Sequence, residues 1–266
     1  MKYPICVLWL LVILCFPLGW LNAQELQPPD WSVGDWWVVK SQRYDSGGII
    51  HRDTQPRWLP PQAWRFEVEK QDTLAGQTYF VAAIRPVEDN ACPYWFRCWF
   101  RLSDRYIARY ELHQITNSGT ITRKIASSVV RKNFDPAKAT PFLTTTFPTL
   151  PLVVPVFTSA SESMETLTND QSIRSAAPTY AGPEFDMQQE VQNFAVQSLS
   201  EKAHPDFLGL IGNMPQEGNV YITIRTTTAL EEKQYWNVKF PWCIYGESFE
   251  NAELTRRYWL IAVGRN

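Results

Sequence analysis

The sequence predicts a mostly β protein: a single curved antiparallel sheet or half-barrel, built as a β-meander, with a Pro-rich covering segment and little helix. Three observations carry this expectation. Apolar and polar residues alternate with period two over many short stretches. Aromatic residues make up 14% of the 266 residues, with 12 Trp, and strands accommodate aromatics better than helices do. Turn-forming residues punctuate the alternating runs at short intervals. Hydrophobic residues at 45% exclude wholesale disorder.

The most regular stretch, Cys92 to Gln114, reads as a central hairpin. From Tyr94 to Leu102, one face takes Tyr94, Phe96, Cys98, Phe100 and Leu102, and the other takes Trp95, Arg97, Trp99 and Arg101. Ser103-Asp104 supplies the turn, because short polar side chains bond their own backbone. The return run sets Tyr106, Ala108, Tyr110 and Leu112 against Arg105, Ile107, Arg109 and Glu111.

In chain order, residues 1–23 read as a secretory signal: a positive charge at Lys2, an apolar run from Ile5 to Phe16, breakers at Pro17 and Gly19, and a cut after Ala23. Bulky Leu14 before Cys15 argues against lipidation. No later run is apolar enough to cross a membrane. The protein is therefore expected to be exported to periplasm, cell envelope or medium, with residues 24–266 forming one antiparallel β domain. The signal holds one of the 25 basic residues and none of the 27 acidic ones, so its removal shifts the formal charge from −2 to −3. Without a basic cluster there is no phosphate-tracking patch, which excludes nucleic acid as a partner.

Gly34-Asp35 marks a turn opening a strand with Trp36 and Trp37. Trp64, Phe66 and Val68 alternate with Arg65, Glu67 and Glu69, and Leu74 to Gln77 turns into a second strand from Thr78 to Ile84. Thr120 to Ser127 is the fifth strand of the meander. Pro136 to Pro155 has no periodicity, yet Phe147 to Phe157 is apolar and is expected to lie on the open face of the sheet as a lid, since exposing it would be costly. Phe185 to Leu199 fits a strand or a helix, with strand preferred. Asn219 to Thr227, Gln234 to Phe240 and Arg257 to Val263 close the chain, the last apolar enough for a central position.

Chemistry leaves little trace. His51, His113 and His204 stand far apart, and no nucleophile, metal-ligand or phosphate-loop motif occurs, so no enzyme activity, no metal and no cofactor is expected. Glu247, in an aromatic stretch, reads as a turn residue. Cys92 and Cys98 are close enough in sequence to close a small disulfide loop in an oxidising compartment, the alternatives being free thiols or a pair with Cys243.

The W-x-V-G-D-W-W opening (Trp31, Val33, Gly34, Asp35, Trp36, Trp37), the strand Trp64 to Lys70 and the closing Tyr258 to Ile261 resemble uncharacterised secreted bacterial proteins. In plan, the chain is similar to the LolA/LppX-type lipoprotein-carrier fold, a curved sheet under a lid. That resemblance implies an acyl chain or other hydrophobic ligand in the concave face. Trp36, Trp64, Phe66, Phe96, Phe100, Tyr110, Trp236 and Phe240 are the expected lining, and a filled inner face would leave no room for a ligand. The alternative is a structural or interaction module of the cell envelope, touching a protein or glycan through Trp95, Trp99, Arg97 and Arg101.

Overall fold

The first and last strands pair with each other in the middle of one sheet, and the rest of the chain extends outward from that pair. In the computed structural model, β1 (Asp35–Asp45) runs antiparallel to β12 (Glu253–Arg265), with partners from Asp35 with Arg265 to Arg43 with Arg256. On one side follow β3 (Gln62–Leu74), β4 (Gln77–Pro86), β5 (Tyr94–Arg101), β6 (Ile107–Thr116) and β7 (Gly119–Ala126). On the other side follow β11 (Tyr245–Glu250), β10 (Leu230–Trp236), β9 (Asn219–Thr226) and β8 (Gln188–Ala195), while the short β2 (Arg57–Trp58) pairs with the far end of β1. The result is a curved, open, 12-stranded antiparallel sheet. The structure describes residues 26–46, 56–74, 76–88, 92–126, 149–154, 157, 188–195, 219–226 and 230–266, and no helix occurs among them. Residues 1–25, with the expected signal, and His51 and His204 lie outside the described residues.

Local chemistry explains why the strands begin where they do. Gly34 takes φ +92, a left-handed conformation that costs glycine little. The Asp35 carboxylate accepts from the Ser32 amide at 2.7 Å, tying the turn that delivers Trp36 and Trp37 into β1. The hairpin between β5 and β6 turns through residues 102–104, where the Asp104 carboxylate accepts from the Tyr106 amide at 3.1 Å.

Four expectations change. Trp36 is not on the concave face: Trp37 pairs with buried Phe66, whereas Trp36 pairs with Glu67 and lies under the Arg65 guanidinium, 4.3 Å from its ring. A bulge where β6 meets β5 inverts the parity at the start of the return strand, so Ile107 joins the inner core and Ala108 the outer face, while Tyr110 and Leu112 keep the inner face expected of them. Glu247 is no turn residue; it lies buried within β11, a strand of its own between β10 and β12. Strand β10 ends at Trp236, so Phe240 packs on the core from a loop and Val238 is exposed.

Cys92, Cys98 and Cys243 are free thiols, so the expected Cys92–Cys98 disulfide is absent. The reason is geometric. The ladder is continuous from Pro93, whose carbonyl accepts from the Ile115 amide at 2.7 Å, through Cys98. At about 3.3 Å per residue this holds the two cysteines well beyond the roughly 7 Å that a disulfide spans.

Candidate functional site

The ladder registers bring the expected lining residues together. Phe66 pairs with Trp37 and Ile84, Ile84 with Phe96, Phe80 with Phe100, and Cys98 with Tyr110, so alternate positions of five strands face the same trough. Trp64, Phe66, Phe96, Phe100, Tyr110 and Trp236 are all buried in one cluster, with Phe240 partly buried against it.

Two further rings, Trp242 and Trp31, belong to the trough, with the Arg105 guanidinium over one end, and sequence reasoning did not select them as lining. Trp242 sits in an irregular segment between β10 and β11, yet it is fully buried and central. Its ring lies 5.7 Å from Trp37, 5.1 Å from Phe66, 5.9 Å from Trp236 and 6.2 Å from Trp31. Trp31 donates its indole N–H to the Pro241 carbonyl at 2.7 Å, locking the lead-in segment to that loop. Arg105 covers the same end, 5.0 Å from the Trp31 ring and 4.9 Å from Phe80, and donates to the Pro29 carbonyl. Burial lowers its pKa to about 10, so it stays charged at neutral pH. The only trace of this plug in the sequence is the apolar run Pro241 to Tyr245, where no period is visible.

Over the trough lies the apolar stretch expected as a lid. Leu150, Leu152, Val153, Val154 and Phe157 are buried, and Phe157 meets Trp236 edge-on at 5.1 Å. Among the described residues, this strap pairs with no strand. Instead, side chains of the sheet hold its carbonyls: Arg225 donates to Val154 at 2.8 Å, Gln234 to Val153 at 2.9 Å and Arg256 to Leu150 at 3.4 Å. Thr149 adds a short bond to Gln62 of β3.

These donors belong to a buried polar cluster assembled from β9, β10, β11 and β12. Register places Arg225 beside Glu232, Thr223 beside Gln234, and Ser248 beside Arg256. The Glu232 carboxylate accepts from Tyr258 and from Ser248, both at 2.5 Å, and pairs with Arg256 at 3.4 Å. Gln234 donates to the Tyr258 oxygen at 2.7 Å and lies 3.9 Å from the Cys243 sulfur. Burial first, and then the Glu232 charge, push the Cys243 thiol and the Tyr258 hydroxyl well up, so both are neutral. A neutral, enclosed thiol is a poor nucleophile.

On the convex face, Trp95 stacks flat on His113, centroids 3.6 Å apart, flanked by Arg85 at 4.9 Å and Arg97 at 5.3 Å. Glu69 bridges Arg85 at 2.8 Å and Arg97 at 2.9 Å. Trp99 is buried under Arg109, 4.3 Å away, and donates to Asp72 at 3.1 Å. Arg101 is paired with Asp104. The four residues of the expected contact face thus lie on one side of β5, with Trp99 packed and each Arg engaged by acid. No group of His, Cys, Asp and Glu suited to a metal occurs among the described residues.

An open antiparallel half-barrel closed by an internal strap is the class that this geometry defines. No family model matches the chain, and no curated protein does. Among the solved structures similar to the chain are the following three, each at 9% identity. A DUF1329 family protein from Desulfovibrio piger aligns over 88% of this chain and 87% of its own, with a TM-score of 0.32. A putative exported protein with a YmcC-like fold from Bacteroides fragilis aligns over 91% and 100%, with a TM-score of 0.29. A beta-barrel-like protein of the domain of unknown function DUF1849 from Brucella abortus aligns over 91% and 99%, also at 0.29. Likeness at this level leaves family and function to be argued from the chain itself.

Proposed function

We propose that this is an exported, non-enzymatic binding protein that takes a lipid-like or other hydrophobic ligand into the aromatic trough when the strap leaves it. One observation carries the reading: the apolar strap covers the trough without joining the β-ladder. Its hold combines buried Leu150, Leu152, Val154 and Phe157 with three side-chain bonds to carbonyls, and Pro151 within it has no N–H to give a strand. An acyl chain offers the trough the same apolar contact, at about 0.8 kcal/mol per buried methylene. With the strap in place the inner face is filled, so the room for a ligand is what the strap vacates, and displacement exchanges one apolar occupant for another instead of opening a void.

Native mass spectrometry of the protein purified from its own envelope, followed by solvent extraction, tests this. The expected result is a reproducible added mass that extracts as one lipid class. A clean apo mass, with no thermal stabilisation by added lipids, overturns the reading and transfers the weight to an envelope contact through Trp95, Trp99, Arg97 and Arg101.

A further inference from the structure

The buried indole N–H groups of this protein fall into two kinds. Trp31 donates to the Pro241 carbonyl at 2.7 Å, and Trp99 to the Asp72 carboxylate at 3.1 Å. In the trough, the N–H groups of Trp37, Trp64, Trp236 and Trp242, all more than nine-tenths buried, have no hydrogen-bond partner among the described residues. Gln62 Nε2, two positions before Trp64 on the same face of β3, is a further such donor, although its Oε1 accepts from strap residue Thr149. A buried indole ordinarily finds an acceptor, because without one it forfeits its bond to water.

Neighbouring rings do not take that place at Trp37. An N–H lies in the plane of its own ring, and Phe66, Trp242 and Trp31 are inclined to Trp37 by 12°, 21° and 36°. An in-plane donor does not point into the face of a ring stacked on its own. The strap does not serve these donors either: its Leu150, Val153 and Val154 carbonyls accept from Arg256, Gln234 and Arg225. Three of the indoles form a row that begins at the strap. Phe157 meets Trp236 at 5.1 Å, Trp236 lies 5.9 Å from Trp242, and Trp242 lies 5.7 Å from Trp37.

We propose that this row reads an acceptor: a ligand that replaces the strap offers Trp236, Trp242 and Trp37 an uncharged carbonyl oxygen carried on its apolar body. The inference rests on the trough being a ligand site and specifies the ligand as an acyl ester or ketone, in place of plain hydrocarbon. An indole can only donate, so the matching group must accept. It is uncharged because the row holds no cation, and an anion buried among neutral donors is costly. Gln234 Oε1 beneath the strap, an acceptor with no partner among the described residues, also disfavours an anionic oxygen.

The test titrates delipidated protein carrying isotope-labelled indole nitrogens with undecane, methyl nonyl ketone and methyl decanoate, probes of equal carbon number. Indole resonances are read by proton–nitrogen NMR and assigned with Trp236→Phe and Trp242→Phe. Both carbonyl probes should move the Trp236 and Trp242 indole protons downfield, and undecane should bind without that shift. Relative to each probe's partition from water into alkane, the better carbonyl probe should bind at least about tenfold tighter than undecane, the scale of a hydrogen bond gained in an apolar medium. Whether ester or ketone binds tighter names the source of the carbonyl. Trp242→Phe, which keeps a ring and removes an N–H, should reduce the preference and leave undecane binding in place. Equal normalised affinities with unmoved indole protons overturn the acceptor site and leave the hydrophobic trough standing. Indole protons already at hydrogen-bonded positions in the free protein, and unmoved by the ester, overturn it as well. Binding of no probe overturns the trough reading and this inference together. The wild-type titration decides even if a variant fails to fold.

Discussion

Truncating Trp37 and Trp36 separately measures which face of β1 is the core. Trp37 is fully buried, its ring 5.3 Å from Phe66 and 5.7 Å from Trp242, and 5.0 Å from Trp31. A buried aromatic of this size removes about 150–250 Å² from water. At about 25 cal/mol per Å² that is roughly 4–6 kcal/mol. The Trp37 indole N–H has no partner among the described residues, so its removal returns on the order of 1 kcal/mol. Trp37→Ala should therefore cost about 3–5 kcal/mol, in line with core truncations generally. Trp36 is half-buried, packed across Gly264 and beneath Arg65. Its loss should cost about 1–2 kcal/mol, part of it the cation–π contact. Urea unfolding followed by far-UV circular dichroism reads both values. Equal losses, or a larger loss for Trp36, would refute the assigned parity and with it the lining of the trough.

Other perturbations probe the strap cluster and the convex face. A Cβ at Gly246 would lie 2.2 Å from the Tyr258 ring, which cannot swing away while Tyr258 is bonded to Glu232 and Gln234; Gly246→Ala should destabilise by about 1–3 kcal/mol in denaturant unfolding. A neutral result would mean the cluster is loosely held. Thiol titration in denaturant without reductant should find Cys92, Cys98 and Cys243 all reactive, and reductant should leave the melting temperature unchanged; a two-dalton mass deficit would contradict this. Acid should weaken the fold in two steps. Burial, which outweighs the opposing pull of Glu111, lowers the His113 pKa, so the unfolded chain takes up that proton more readily and stability falls as pH drops through the ordinary value of 6.5. Burial raises Glu69, but Arg85 and Arg97 together overcome it and hold the carboxyl below 4.5, so its contribution, present above 4.5, is lost as pH falls through the lowered value. Melting temperatures from pH 8 to 3 should show both steps, and His113→Asn only the lower; an unaltered upper step in the variant would refute the assignment.

The reading of Trp64, Phe66, Phe96, Phe100 and Tyr110 as one inner face held because each lies in a strand whose period is visible within a few residues. The strap was legible for a related reason: an apolar, aperiodic, Pro-rich run cannot be left in water. Trp36 and Trp37 were not separable, because two adjacent indoles fit either parity and only Phe66 on the neighbouring strand decides. Trp242 carries no period at all, and its position comes from the walls around it.

What the sequence determined by itself was the strand-forming texture, the aromatic inner face and the existence of a cover, all set by short-range alternation and composition. Tertiary structure alone decided the pairing of β1 with β12 and the bulge that sends Ile107 inward. It also decided the meeting of Arg225, Glu232, Gln234 and Arg256 under the strap carbonyls. The physical reason is that a ladder register is fixed by contacts between segments distant in the chain, and a one-residue shift in it moves every side chain beyond to the opposite face.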